Sequence, residues 1–187
     1  MPRSARRPVS PPAAEPAPRP LAPPPPRTWQ GVLYRPSQAG AGEVRRLFDF
    51  AGAWAPAPGP PEFAWEAAVE ERLVGAVLVE RQGEHGFIHG PVVVAPPAGT
   101  EPLEMAAQLV APLLRQAADL GINTLFTRPQ GLDRLWVRFG FIPVPEASVP
   151  AALRGRPGTG LHAWRRPGSY TIAVPDGDRA GRRGRTR

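Results

Sequence analysis

The heptapeptide FGFIPVP, residues 139–145, follows a helix-like run, LDRLWVR, and is itself interrupted by two prolines. A glycine placed after the last helical turn readily adopts the left-handed conformation that closes a helix. We therefore predict that Gly140 ends a short helix. Phe141 then becomes the first residue of the next strand, and we expect its side chain to point into the core.

Upstream of this stretch lies the longest helical pattern in the chain, TEPLEMAAQLVAPLLRQAADLG. Thr100 is suited to cap its start, and Gly121 should stop it. Glu101 and Glu104 suit the positive end of the helix dipole. Pro112 removes one backbone donor, so we expect a kink there. The apolar spacing predicts a buried face made of Leu103, Ala106, Leu109 or Val110, Leu113 and Ala117.

The remaining segments alternate between strand and helix patterns. WQGVLYRP is predicted to be a first strand, and GEVRRLFDFAGAW a helix whose buried face is Val44, Leu47, Phe48 and Ala51. Residues 64–97 are predicted to form three strands, with turns at Glu71–Arg72 and at QGEHG. INTLFTRP, FIPVP and GLHAWRR are predicted strands, and VPAALRG a helical turn. This order predicts an α/β (α+β) fold, with a mixed, mostly antiparallel central sheet and helices on both faces.

The two ends of the chain differ in composition from its middle. Residues 1–27 contain eleven prolines. Such a segment can neither join a helix nor bury apolar mass, so we predict a stiff, disordered arm. The folded domain is placed at residues 28–167, and a flexible, arginine-rich tail at residues 168–187.

Positive charge is concentrated at these ends. The net charge is +7, and all 23 basic residues are arginines. Residues 1–27 carry five Arg and one Glu, while residues 176–187 carry five Arg and two Asp. Such ends can bind the phosphates of nucleic acid, or they can simply be solvated.

Several classes of protein are excluded by what the sequence lacks. There is no cysteine, which excludes disulfides, thiolate nucleophiles and Cys-ligated metal. No apolar run is long enough to span a membrane, and prolines interrupt the basic N-terminus where a secretory signal would be apolar. We therefore expect a cytoplasmic protein without membrane contact. His85, His89 and His162 lack a spaced acidic partner, so no metal site is expected.

The order of elements, together with two short motifs, resembles the GNAT superfamily of acyl-CoA-dependent N-acyltransferases. In that family a strand ending in Val-x-Pro leads into a long helix, and a later short helix ends in Gly-Phe. Here VVVAPP supplies Val94 and Pro96, and LWVRFGF supplies Gly140 and Phe141. The resemblance covers about residues 30–166 and is nearest to the amino-acid N-acetyltransferase branch.

This resemblance implies acetyl-CoA as the cofactor. Its pantetheine arm would pair with the backbone of Val92, Val93 and Val94, like an added strand. Its pyrophosphate would lie at the start of the long helix, near Gly99 and Thr100, where free N–H groups and the helix dipole favour negative charge.

Three further side chains lie on the cofactor side in this interpretation. Arg128 and Arg134 could meet CoA phosphates or an acidic substrate, or they could be solvated surface residues. Trp136 stands where many family members carry a proton-donating tyrosine, four residues before the glycine. An indole N–H cannot act as a general acid, so Trp136 should either touch CoA or pack in the core.

The segment that should hold the pyrophosphate departs from the family pattern of two glycines spaced by one residue. Pro102 has no N–H to donate, and Glu101 and Glu104 add negative charge. An exposed like-charge contact at ~4 Å costs about 1 kcal/mol. This departure, together with the missing tyrosine, keeps a non-catalytic role open.

The reaction would also need a base that removes a proton from the amine. His89 is the first candidate, because it lies in the strand before the long helix and imidazole titrates near neutrality. Glu80 and Glu84 are the other candidates. The alternative is that His89 is an ordinary strand residue hydrogen-bonded to a neighbour.

We therefore predict an N-acetyltransferase that moves an acetyl group from acetyl-CoA to a small amine or an amino acid by direct attack. Two alternatives stay open. The fold could have lost catalysis and serve as a binding or regulatory module, or the basic tails could bind nucleic acid. A homodimer is also left open.

Overall fold

The computed structural model describes residues 23–37, 42–56 and 62–168. Within them lies one sheet whose strands, in chain order, are β1 (Arg27–Trp29), β2 (Val32–Pro36), β3 (Glu62–Val69), β4 (Arg72–Gln82), β5 (His85–Val93), β6 (Thr124–Thr127), β7 (Ile142–Pro143) and β8 (His162–Arg165). Most of the arm and tail predicted at the ends falls outside the described residues.

The sheet is mixed and mostly antiparallel, as predicted. Its spatial order is β1-β2-β3-β4-β5-β6-β8-β7. Only β5 and β6 pair in parallel within the described part of the chain, and they are joined by a long helical crossover. This parallel pair lies at the centre of the sheet, where both of its faces are covered.

In the described residues, three α-helices cover the sheet: α1 (Gly42–Phe50), α2 (Pro102–Asp119) and α3 (Asp133–Arg138). The larger core lies under α2 and α3, where Leu109, Val110 and Leu113 pack against Val77 and Val79 of β4. On the opposite face, α1 buries Val44, Leu47 and Phe48 against the sheet. Helices on both faces are thus confirmed.

The same face as α1 is also covered by an irregular segment that leads from β7 to β8. We call residues 145–160 the strap. It contains two short 3₁₀ turns, Glu146–Ser148 and Ala151–Leu153. Val149 and Leu153 of the strap pack on Phe87 and Phe126 of the sheet.

The end of α3 confirms that Gly140 closes the helix and that Phe141 is buried, while β7 begins one residue later than predicted, at Ile142. Gly140 has a φ of 80°, in the left-handed region, and its N–H donates to the carbonyl of Val137. Phe141 donates its N–H to the carbonyl of Trp136, and its side chain is buried against the Trp136 ring. The glycine therefore reverses the chain so that Phe141 enters the core.

Five details of the sequence interpretation are wrong. The turn predicted at Glu71–Arg72 is at Glu70–Glu71, which both take positive φ, and Arg72 already pairs with Val69. WQGVLYRP belongs to a hairpin, β1 and β2, rather than to one strand, because Gln30 and Gly31 both take positive φ and turn the chain. Ala51 follows the last residue of α1 and is exposed. Leu103 is 37% exposed, because it lies in the first turn of α2, before Met105, the first buried residue of the helix. Glu101, not Thr100, is the N-cap residue of α2, without a side-chain capping bond.

The rest of the predicted buried face of α2, and the end of the helix before Gly121, are confirmed. Ala106, Leu109, Val110, Leu113 and Ala117 are buried, and the helix runs on through Pro112. Gly121, with a φ of 77°, follows its end. None of the described helices is both long and apolar enough to cross a membrane.

Replacing Gly140 with alanine should destabilise the domain. A non-glycine residue in the left-handed region costs roughly 1–2 kcal/mol, so Gly140→Ala should lower the free energy of unfolding by about that amount. Gly42→Ala is the matched control, because Gly42 is helical and a Cβ there would meet no atom within 4 Å. Urea unfolding of both variants measures the difference, and equal effects would contradict this account of the turn.

Candidate active site

The parallel pair β5–β6 opens at its carboxyl end. Its pairing runs from His85 opposite Thr124 to Ile88 opposite Thr127. There β6 ends, whereas β5 continues to Val93. From His89 onward, β5 therefore has no strand on its β6 side within the described residues. We call this free edge the opening.

The backbone of β5 shows which residue faces the opening. Val94 donates its N–H to the carbonyl of Val74 on β4. The carbonyl oxygen of Val92 also points to β4, because it lies only 3.0 Å from the position that a Cβ on Gly75 would take. Backbone groups of successive strand residues point to opposite edges. Val92 and Val94 thus face β4, and Val93 is the valine whose N–H and C=O face the opening.

His89 lies at the start of the opening and contacts a carboxylate. It directly follows Ile88, the last β5 residue paired with β6. Its Nε2 lies 3.2 Å from Oε2 of Glu80 on β4. The imidazole is also flanked by two aromatic rings, Phe87 at 5.1 Å and Trp54 at 5.0 Å between ring centroids. The structure therefore brings two of the three predicted base candidates together.

The Glu80 carboxylate is held by a second partner, Arg156 of the strap. Nε of Arg156 donates to Oε2 of Glu80 at 2.9 Å, and a second guanidinium nitrogen donates to Oε1. Such two-pronged pairing fixes a carboxylate in orientation as well as in charge. Glu80 therefore links His89 on β5 to the strap.

The electrostatics of this group favour an ionised Glu80 and a neutral His89. Burial opposes ionisation of Glu80, but the hydrogen bonds from His89 and Arg156 and the charge of Arg156 lower its pKa to about 2. Burial lowers the pKa of His89 below its ordinary value, and the charges of Arg156 and Arg45 act in the same direction, against the opposing effect of Glu80. A neutral imidazole beside a fixed carboxylate can accept a proton.

The third candidate base, Glu84, lies elsewhere. It occupies the turn between β4 and β5, where its carboxylate accepts a hydrogen bond from the Asn123 side chain at 2.9 Å. This turn is at the opposite end of β5 from the opening. The structure thus separates Glu84 from His89 and Glu80.

Arg128, predicted to lie on the cofactor side, uses its donors within the fold. Its guanidinium donates to the carbonyls of Arg156 and Gly160 and to the Glu146 carboxylate. These contacts fasten the strap to the end of β6. The side chain is 10% exposed, so its donors are used inside the fold.

Trp136 has the packing role that was one of its two predicted alternatives. It is fully buried, its indole N–H donates to the carbonyl of Pro129 at 3.3 Å, and its ring lies edge-on to Phe141. Its only polar atom is therefore occupied by the loop that follows β6.

The start of α2 lies beyond the opening, at the end where β5 leaves the sheet. Gly99 has a φ of 81° and open space where a Cβ would be. Thr100 donates its N–H back to the carbonyl of Pro97 at 3.0 Å, so that donor is occupied. Glu104 is paired with Arg138 at the end of α3 at 2.7 Å, and both side chains are exposed.

Sequence reasoning missed Arg156, Arg138 and Trp54. Arg156 stands 76 residues from Glu80 along the chain, and Arg138 stands 34 residues from Glu104. No local pattern marks either pair, because folding alone brings the partners together. A cluster of histidine and acidic side chains that could hold a metal is absent from the described residues.

No protein-family model and no curated protein matches the sequence. Solved structures, however, resemble the fold. A GNAT-family acetyltransferase from Staphylococcus aureus Mu50 aligns with a TM-score of 0.54 and 9% identity, over 72% of this chain and 98% of that one. An acetyltransferase from Streptococcus agalactiae 2603 aligns with a TM-score of 0.57 and 10% identity, over 74% and 100%.

N-acetylglutamate synthase from Neisseria gonorrhoeae, solved with coenzyme A and N-acetyl-glutamate, aligns with a TM-score of 0.54 and 16% identity. The match covers 71% of this chain but 35% of the synthase. Identities this low establish the fold alone. The chain has the GNAT fold, as the order of its strands and the Gly-Phe pair predicted.

Neutralising Glu80 should change how stability depends on pH. Because the folded-state pKa of Glu80 is lowered from 4.5 to about 2, its stabilisation is present above pH 4.5 and is lost as the pH falls toward 2. In Glu80→Gln, the free energy of unfolding should therefore fall less steeply as the pH is lowered. Urea unfolding at several pH values from 6 to 3 measures it, with Glu84→Gln as the control. Parallel curves for Glu80→Gln and the unchanged protein would contradict the pairing.

Proposed function

We propose that this chain is an N-acetyltransferase that moves an acetyl group from acetyl-CoA to the amine of a small molecule or an amino acid by direct attack. One observation carries the proposal: His89, hydrogen-bonded to an ionised Glu80, lies directly after the last β5–β6 pair. A base is thus found at the place where an added strand would end.

The residues around the opening suit acetyl-CoA in part. The backbone N–H and C=O of Val93 are available for the pantetheine amides. Gly99 leaves open space for a phosphate before α2, and the α2 dipole favours negative charge there. Glu104 opposes this charge, but its ion pair with Arg138 offsets it and places a guanidinium at the same site.

The chemistry proposed for this chain's own residues is limited to holding and moving protons. His89 accepts the proton that the amine loses as it attacks the acetyl carbon. Glu80 orients the imidazole and stabilises the imidazolium that forms. Trp54 and Phe87 restrict water around the ring. The departing CoA thiolate takes its proton from water, since Trp136 cannot supply one.

A second candidate function follows from the start of α2. Thr100 has used its N–H, Pro102 has none, and Glu101 is negatively charged. These features weaken a phosphate site and favour a non-catalytic GNAT-fold module that binds a partner. The basic tails would then reach that partner or a nucleic acid.

Titration of acetyl-CoA into the full chain, followed by an amine screen for thiol release, distinguishes the two functions. The enzyme should bind acetyl-CoA at micromolar concentration. His89→Ala should lower kcat by about 10²–10⁴-fold, the usual contribution of a general base, with little change in acetyl-CoA affinity. His85→Ala, at the far end of β5, is the matched control. Absence of binding at millimolar acetyl-CoA would reject the enzyme and leave the binding module.

The Arg138–Glu104 pair gives a test of the phosphate site. If Arg138 meets a CoA phosphate, Arg138→Ala should raise the Kd for acetyl-CoA about tenfold, as expected for one charge-assisted hydrogen bond. Glu104→Gln should lower the Kd, because it removes a competing carboxylate. Arg115→Ala, an exposed residue of α2 far from the start of that helix, is the control. Equal Kd values for the Arg138 and Arg115 variants would place the phosphates elsewhere.

A further inference from the structure

Arg156 is held between the strap and the sheet. Besides its two bonds to Glu80, its guanidinium donates to the strap carbonyls of Arg154 at 2.8 Å and Ala152 at 3.0 Å. Its side chain is 19% exposed. The guanidinium is therefore held in place by partners on the sheet and on the strap.

These contacts occupy the Glu80 carboxylate. Oε1 accepts from Arg156, and Oε2 accepts from Arg156 and lies against His89. Each oxygen of Glu80 thus already faces a donor. An ammonium group would have to compete with the Arg156 guanidinium for the charge of this carboxylate.

The charges that act on His89 also disfavour a cation. Among the described residues they are Glu80 on β4, Arg156 on the strap and Arg45 on α1. Arg156 is itself paired with Glu80, so its guanidinium neutralises the charge of that carboxylate. The rings of Trp54 and Phe87 flank the imidazole. An amine that arrives as an ammonium therefore meets a Glu80 carboxylate that is already neutralised.

We propose that Arg156 makes this site selective for weakly basic amines, which reach His89 uncharged, and against lysine-like alkyl amines. This inference rests on the proposed function and names its acceptor class. Two kinds of amine fit: the α-amine at the N-terminus of a peptide, and an aromatic amine. They share a lone pair that is available near neutral pH.

The proposed step balances without a further reactant. The amine lone pair forms the N–C bond to the acetyl carbon, the C–S bond breaks, and the sulfur leaves with its electron pair. The proton lost by the nitrogen goes to His89. An ammonium has no lone pair, so it would first have to give a proton to the same imidazole, whose burial makes it a weak base.

The acid–base properties of amines set the size of the effect. With pKa values of 7.7–8.0 for an α-amine and 10.4 for lysine, about 10% of the former and about 0.04% of the latter are uncharged at pH 7. We expect kcat/KM to favour the α-amine at least about 50-fold at pH 7. By pH 9 the ratio of kcat/KM for the α-amine to kcat/KM for lysine should fall about tenfold. The α-amine is then almost fully uncharged, whereas the uncharged fraction of lysine still increases with pH.

Two versions of one peptide test this preference in the full chain. One has a free α-amine and an acetylated lysine, and the other has an acetylated N-terminus and a free lysine. Thiol release from acetyl-CoA is followed for both from pH 7 to 9. An aromatic amine is assayed beside them to distinguish the two acceptor sources. A lysine preference at pH 7 would overturn the inference.

Arg156→Gln is the variant that isolates the cause. This variant frees the Glu80 carboxylate and removes a positive charge. The KM for the lysine peptide should therefore fall, and the ratio of kcat/KM for the α-amine peptide to that for the lysine peptide should decrease. The acid limb of the kcat/KM profile should also move to higher pH, because His89 becomes easier to protonate. Arg154→Gln, whose Nε is bonded to the Val149 carbonyl within the strap, is the matched control. A merely structural role for Arg156 would change neither readout.

Glu84→Gln is a further control, because Glu84 lies at the opposite end of β5 from the opening. It should leave the preference for the α-amine peptide over the lysine peptide unchanged, and a loss of that preference in this variant would overturn the inference. Acetyl-CoA affinity and thermal unfolding are measured for each variant as a check of folding. An unchanged preference in folded Arg156→Gln would also overturn it. Failure of acetyl-CoA to bind the unchanged protein would instead reject the proposed function.

Discussion

The early end of β6 is the constraint on which the rest of the site depends. β6 stops at Thr127 and is followed by Arg128 and Pro129, and a proline cannot donate to a strand ladder. β5 continues past this point, so its edge is left open beside His89. The Thr127 hydroxyl donates to the carbonyl of Ile88 at 3.2 Å, which closes the pair just before the opening. Arg128 then ties the strap to the same corner. A longer β6 would pair with β5 and remove the opening.

The elements that could be predicted from the sequence are those set by local chemistry. Gly140 and Phe141 were identifiable because a glycine can end a helix in the left-handed conformation without strain and turn the next residue into the core. The buried face of α2 followed from its spacing, except where its first turn projects beyond the sheet at Leu103. The hairpin of β1 and β2 was missed because Gln30, a residue that rarely takes positive φ, provides half of the turn.

The site was predictable only where the sheet itself places its members. His89 and Glu80 lie on adjacent antiparallel strands, so a correct strand order places them on one face of the sheet. Arg156 could not be found in this way, because the strap has no regular periodicity and its position depends on packing over Phe87 and Phe126. Charge pairs between irregular segments and sheets leave no local signal. They nevertheless decide which groups stay ionised.

The group Glu80, His89 and Arg156 is difficult to explain as a stabilising device. Taking a carboxylate and a guanidinium partly out of water costs several kcal/mol, and their attraction commonly does no more than offset it. Apolar side chains such as those of Leu78 and Val79, which precede Glu80 on β4, would fill the same space without that cost. This chain instead keeps Glu80, His89 and Arg156 in contact with one another, next to the rings of Trp54 and Phe87. Stability alone does not favour that arrangement. That arrangement does hold an imidazole neutral and oriented at the opening, where β5 has no strand on its β6 side among the described residues. The physical argument for function therefore rests on the desolvation free energy that this cluster costs, as well as on its position beside the opening.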